Sequence, residues 1–232
     1  MTNAIKDKLI VALDYPSYDE ARALVDVLGD TVSFYKIGLE LLFNDGLALA
    51  SEMKNDGKRI FLDMKFLDIG NTVEKAVAAV AGHGFDFLTI HGTDSKTMQA
   101  AVKGRGSAPL KLLAVTVLTS LDQADLQEQG IVSTPAELVL KRARMAEDAG
   151  MDGVIASGQE AAAIRAASSR KFLIVTPGIR LPGGDAGDQK RITTPQDALR
   201  AGANHLVVGR PITAAADPVR AAERVLEHIA LA

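Results

Sequence analysis

Ile60–Ala81 reads IFLDMKFLDIGNTVEKAVAAVA, and two periods meet inside it. Ile60–Met64 is a strand-length apolar run broken only by Asp63. A few residues later Asn71–Ala81 carries helical spacing, with Asn71 placed as an N-cap and Glu74 three residues on, in the capping-box offset. A strand feeding a helix is the first half of a parallel crossover. The rest of the chain repeats it.

Upstream lie the runs Leu9–Leu13 and Phe34–Ile37; downstream lie Phe87–Ile90, Leu112–Val117, Gly153–Ala156, Phe172–Thr176 and His205–Val208. Several are continuously apolar, as strands covered on both faces are. Between them, Tyr18–Leu28 places Ala21, Leu24, Val25 and Leu28 on one helical face. Pro135–Ala149 follows Thr134 as cap and precedes Gly150; Pro195–Ala201 has the same logic with Thr194 and Gly202. The first five strands start about 25 residues apart, one βα unit each, and the wide Thr119–Gly153 gap predicts an extra helix around Asp122–Gln129. Eight strand–helix units in so short a chain favour a closed (β/α)8 TIM barrel over an open doubly wound sheet, with residues 1–232 as a single α/β catalytic domain.

Composition narrows the function. The 232 residues include no Cys, which excludes disulfides, thiolate zinc sites, iron–sulfur clusters and a cysteine nucleophile. With 26 basic and 29 acidic side chains the net charge is −3, so there is no excess of cations for general nucleic-acid binding. No apolar run reaches the roughly 20 residues of a membrane helix, and MTNAIKDKLI lacks a signal-peptide core. A cytoplasmic protein with neither nucleic-acid nor membrane partners is expected.

In such a barrel chemistry belongs at the carboxyl ends of the strands. There stand Asp14, Lys36, Asp63, Lys65 and Asp68, then Thr119 after the fifth strand, Pro177 and Arg180 after the seventh, and Gly209 and Arg210 after the eighth. Asp63 and Lys65 are i and i+2, which puts them on one face of a strand. That pair alone fits a structural brace equally well. Lys36 and Asp68 tip the balance, because an alternating Lys–Asp–Lys–Asp array holds more charge than a brace needs. Arg180 and Arg210 singly read as solvated charges; together, with Gly209 beside them, they suit a phosphate dianion. Pro177–Gln189 (PGIRLPGGDAGDQ), with two Pro and four Gly, is the strongest loop signal; Pro182–Gln189 reads as a lid, and Gly183–Gly187 alternatively as a mere turn. Thr119 and Ser120 could each cap the segment that follows, a reading that for Ser120 serves as well as a ligand role. His91 reads as a packed histidine, His83, His205 and His228 lack ligand spacing, and Gly104–Gly106 is a weak phosphate-loop candidate.

Leu62–Thr72, LDMKFLDIGNT, resembles the D-x-K-x-x-D-I-x-N-T signature of orotidine 5′-phosphate decarboxylases. The likeness continues through LDYP (13–16), YKIGLEL (35–41), TIHG (89–92), VTVLTS (115–120), TPGIR (176–180), DQKR (188–191) and VVGRPI (207–212). D-x-K-x-x-D also marks sugar-phosphate decarboxylases and hexulose-phosphate synthases, which carry an acidic magnesium ligand where this chain has Lys36.

The resemblance implies conversion of orotidine 5′-monophosphate to UMP and CO2 with no metal or organic cofactor, in de novo pyrimidine biosynthesis. It assigns Lys65 as the cation beside C6 and its proton donor, with Asp63, Asp68 and Lys36 completing the catalytic array. Asp14 and Lys36 would bind the ribose, Thr119 the pyrimidine edge and Ile69 the ring face. Arg180, Gly209 and Arg210 would hold the phosphate, with Pro177 among the substrate-binding residues and Gln189 reaching back to the phosphate or the base. It further implies a homodimer in which Asp68 and Thr72 reach into the partner's site. Two alternatives stay open: a magnesium-dependent synthase using Asp14, Asp63 and residue 36, and a phosphate-ligand sensor on a barrel that has lost its chemistry.

Overall fold

The computed structural model describes residues 2–183 and 191–232. Eight strands, β1 (Leu9–Leu13), β2 (Phe34–Ile37), β3 (Arg59–Phe66), β4 (Phe87–His91), β5 (Lys111–Val115), β6 (Gly153–Ile155), β7 (Leu173–Thr176) and β8 (His205–Val208), close in chain order into a barrel. Every neighbouring pair is parallel, and β1 seals the barrel against β8 through Leu9↔Leu206 and Val11↔Val208.

The helices are α1 (Asn3–Lys6), α2 (Tyr18–Leu28), α3 (Leu39–Leu41), α4 (Leu47–Asn55), α5 (Gly70–Ala81), α6 (Ser95–Arg105), α7 (Gln123–Glu128), α8 (Pro135–Asp148), α9 (Ala161–Ala167), α10 (Pro195–Arg200), α11 (Arg210–Thr213) and α12 (Pro218–Ala230). As expected, α2 buries Ala21, Leu24, Val25 and Leu28, and the fifth gap holds α7 as well as α8. Thr134 caps α8 in a full capping box with Glu137, and Thr194 accepts the Asp197 N–H at α10. Gly150 and Gly202 follow these helices with φ of 84° and 106°, the left-handed turn a C-terminal glycine permits.

Two local expectations fail. Asn71 does not cap α5: the helix starts at Gly70 after Ile69, with no side-chain cap. The fifth strand ends at Val115, two residues short of the predicted Val117.

Alternation along the strands builds two cores. One set of side chains points outward under the helices, while Ile10, Ala12, Phe34, Phe61, Phe87, Leu113, Val175 and Val207 fill the barrel's interior. At the amino-terminal floor Phe34, Phe87 and His205 meet edge to face. Two residues further along β1, β2 and β3 from inward Ala12, Phe34 and Phe61 come Asp14, Lys36 and Asp63. The same parity that fills the floor with rings therefore charges the mouth.

Candidate active site

Lys36 lies between two carboxylates, its Nζ 2.9 Å from Asp14 Oδ1 and 3.6 Å from Asp63 Oδ2. Lys65 Nζ stands 2.9 Å from the other Asp63 oxygen, Oδ1. Four alternating charges thus form one chain, Asp14–Lys36–Asp63–Lys65, across β1, β2 and β3. Burial pulls the Lys36 ammonium toward neutrality, but Asp63 and Asp14 outweigh it and raise its pKa. Asp63 mirrors this: burial pushes its pKa up, while Lys36, Lys65 and the Thr89 hydroxyl bring it below the usual carboxylate range. Both groups therefore stay ionised although little water reaches them.

The pairing of Asp63 with Lys65 was expected from a flat strand, and the backbone achieves it differently. The register between β3 and β4 shifts between Leu62 and Phe66, and Lys65 adopts φ of 50°. Its N–H donates to Thr89 Oγ1 at 2.9 Å, while that hydroxyl donates to Asp63 Oδ1 at 2.9 Å. A bulge, braced by Thr89 on β4, turns the lysine onto its aspartate.

Above the rings, Lys36, Asp63 and Lys65 line a cavity of about 160 Å³ whose other walls include Val117, Leu118 and Thr119. A second cavity of about 390 Å³ is lined by Asp14, Arg180, Gly209 and Arg210. Lys36, Pro177 and Val207 belong to both, so the two are contiguous. One compartment suits a flat polar ring beside the ionic chain; the other suits an anion.

Asp68, Ile69 and Thr72 do not join this cluster within the chain. All three are exposed, and Asp68 Oδ1 accepts the Ile69 N–H at 2.6 Å. Within one chain the array thus runs from Asp14 to Lys65 and does not include Asp68, which the sequence spacing places in it. Gln189 and most of the Pro182–Gln189 segment fall outside the described residues. His91 is half-buried, and burial first, then the Lys65 cation, lowers its pKa.

Two neighbours escaped the sequence reading. Thr89 has inward parity on β4, which was its available signal. Gly38 follows Lys36 by two residues, and a Cβ there would stand 3.0 Å from Lys36 Nζ and 3.3 Å from Asp14 Oδ1. It leaves room for that ion pair. Among the described residues no group of three or more His, Cys, Asp or Glu gathers at metal-ligand spacing.

Charged side chains carried on strand ends, with the floor beneath them apolar, define the class: a (β/α)8-barrel enzyme working at its carboxyl-terminal mouth. Comparison with known proteins supplies the family. The family model described as "Orotidine 5′-phosphate decarboxylase / HUMPS family" matches residues 7–225, and the chain belongs to that family. It is 55% identical to a protein of Caulobacter sp. (strain K31) named orotidine 5′-phosphate decarboxylase, over 223 residues covering 96% of this chain and 97% of that one. A protein of the same name from Rhodopseudomonas palustris (strain HaA2) is 51% identical over 229 residues, 99% and 97% of the two chains. Among solved structures, orotidine 5′-phosphate decarboxylase from Lactobacillus acidophilus superposes with a TM-score of 0.83 at 38% identity, covering 95% of this chain and 98% of that one.

Proposed function

We propose that this chain decarboxylates orotidine 5′-monophosphate to UMP and CO2, a step of pyrimidine biosynthesis, with Lys65 as the cation and acid at C6. The observation that carries the reading is the Asp14–Lys36–Asp63–Lys65 chain at the head of a cavity continuous with the Arg180/Arg210 pocket.

The bond from C6 to the carboxylate breaks, CO2 leaves, and the electron pair stays on C6, since the ring offers no sink at that position. Lys65 Nζ faces this carbanion and delivers a proton to it, forming the C6–H bond of UMP; solvent then restores the ammonium. Asp63 anchors Lys65 and stands near the departing carboxylate. One ion pair at about 4 Å in an effective dielectric of about 20 is worth ~4 kcal/mol, about three decades of rate. The remainder comes from an array already paired before substrate arrives and from binding energy at the phosphate.

In this scheme Arg180, Arg210 and the Gly209 N–H hold the phosphate, joined by Gln189. Asp14 and Lys36 take the ribose hydroxyls, Thr119 the pyrimidine edge, and Ile69 and Pro177 flank the ligand. Asp68 and Thr72 serve the partner subunit's site in a cytoplasmic homodimer built from one catalytic domain per chain. No step calls on a metal or organic cofactor. A magnesium-dependent synthase would need a cation between Asp14 and Asp63, and the Lys36 ammonium occupies that place.

The test is an absorbance assay on orotidine 5′-monophosphate with excess chelator, run beside Lys65→Ala protein. Turnover by the unaltered protein, and a loss of at least about three decades in the variant, are expected. An inert parent protein, or activity that vanishes with chelator, overturns the reading.

A further inference from the structure

Behind the wall of the Lys65 cavity lies a buried ion pair that this chemistry does not use. Arg191 Nη1 meets Glu160 Oε1 at 2.5 Å, with both side chains at or below 10% exposure. The other arm of the guanidinium, Nη2, donates to the carbonyls of Val117 and Leu118 at 3.1 Å each. On the main chain, Ser157 Oγ donates to the Arg191 carbonyl at 3.3 Å. A Cβ on Gly158 would come within 2.8 Å of Thr193, so the returning segment lies hard against the turn after β6. One planar fork thus joins the ends of β5 and β6 to the stretch that follows β7.

Stability alone is a poor account of this arrangement. Among the described residues Glu160 Oε2 and Arg191 Nε have no hydrogen-bond partner. A buried pair with unsatisfied atoms gains little over apolar residues of the same size. Its distinctive property is geometric: three acceptors held at fixed angles by one rigid group. Those acceptors sit where they matter, because β5 has already ended at Val115 and the chain beyond it forms the cavity wall. Val117, Leu118 and Thr119 line the Lys65 cavity and are absent from the lining of the Arg180/Arg210 pocket.

We propose that Arg191, paired with Glu160, is a positioning residue that sets the depth of the Val117–Thr119 wall against the base of a bound nucleotide. The proposal rests on the nucleotide reading above. The guanidinium's partners, Glu160, Val117 and Leu118, are absent from the lining of the phosphate compartment, so its effect is expected on the base compartment first, which separates it from a general role in folding.

The experiment compares UMP with ribose 5-phosphate as ligands, by calorimetry on the intact protein. The Arg191→Met/Glu160→Gln double variant removes both charges together, so no uncompensated ion is left buried. UMP affinity is expected to fall by about ten- to a hundredfold, as small misplacements at a site do, while ribose 5-phosphate binding stays within about twofold. Arg191→Lys keeps the charge but cannot span the three acceptors, so the same split is expected from it, and it carries the test if the double variant does not fold. Equal losses for both ligands, or no loss for UMP, overturn the proposal. Turnover of the parent protein is measured alongside: an inactive parent refutes the decarboxylase reading, whereas an active parent with no ligand split in the variants refutes the wall alone.

Discussion

Lys65 holds its place at a backbone cost. At φ of 50° an L-residue other than glycine is strained by about 1 kcal/mol, and such strain persists where the surroundings over-determine it. Here the surroundings are the Thr89 hydroxyl on the Lys65 N–H and Asp63 on its Nζ. Alanine at position 65 bears the same strain as lysine, whereas glycine is free of it. Lys65→Gly protein should therefore melt about 2–4 °C above Lys65→Ala protein, with both failing to turn over orotidine 5′-monophosphate; equal melting temperatures in calorimetry would show the backbone to be relaxed. The sequence made the pairing legible and hid the means. An i, i+2 spacing announces a shared face on a regular pleat, but the bulge depends on a hydroxyl 24 residues away on the next strand. Nothing local to LDMKF encodes that partner.

Among the elements, legibility follows how local the signal is. Thr134, Pro135 and Glu137 lie within four residues, and they fix the start of α8 through a reciprocal cap: Thr134 Oγ1 accepts the Glu137 N–H at 3.3 Å, and Glu137 Oε2 accepts the Thr134 N–H at 2.9 Å. Thr134→Ala should cost about 1 kcal/mol, a fall of about 2–4 °C in melting temperature, with kcat/KM unchanged because the cap lines neither cavity. A fall in kcat/KM at constant stability would contradict that assignment. The start of α5 obeys a different rule. Asn71 has the right chemistry for a cap, yet the chain enters the helix one residue earlier, directly after Asp68 has taken the Ile69 N–H. The end of β3 and its bulge decide where that helix can begin, and tertiary placement overrides the motif. The end of β5 has the same explanation. Val117 and Leu118 are apolar enough to extend the strand, but their carbonyls are claimed by Arg191 from 73 and 74 positions away. Side-chain hydrogen bonds of such range leave no trace in periodicity.

At the scale of the whole molecule, one chain gathers Asp14, Lys36, Asp63 and Lys65 while leaving Asp68, Ile69 and Thr72 on its surface. Asp68 stands between Leu67, 54% exposed, and Ile69, 73% exposed. Two large apolar side chains around a carboxylate are costly to leave in water and are the usual composition of a covered surface. A two-fold dimer would bury this edge against its own copy and carry each Asp68 across the interface, since an isologous contact presents the same patch from both sides. The consequence is countable. If Asp68 serves the neighbouring site, a mixed dimer of Lys65→Ala and Asp68→Ala chains has one site with both lesions and one with neither. Random exchange makes half the dimers mixed, so about a quarter of all sites should regain activity from two nearly inactive parents. Recovery measured against the fraction of mixed dimers, resolved by native mass spectrometry, checks this directly. Should mixed dimers form and activity stay at the parental level, Asp68 works within its own chain, and the loop from Leu67 to Gly70 must move to bring it to Lys65.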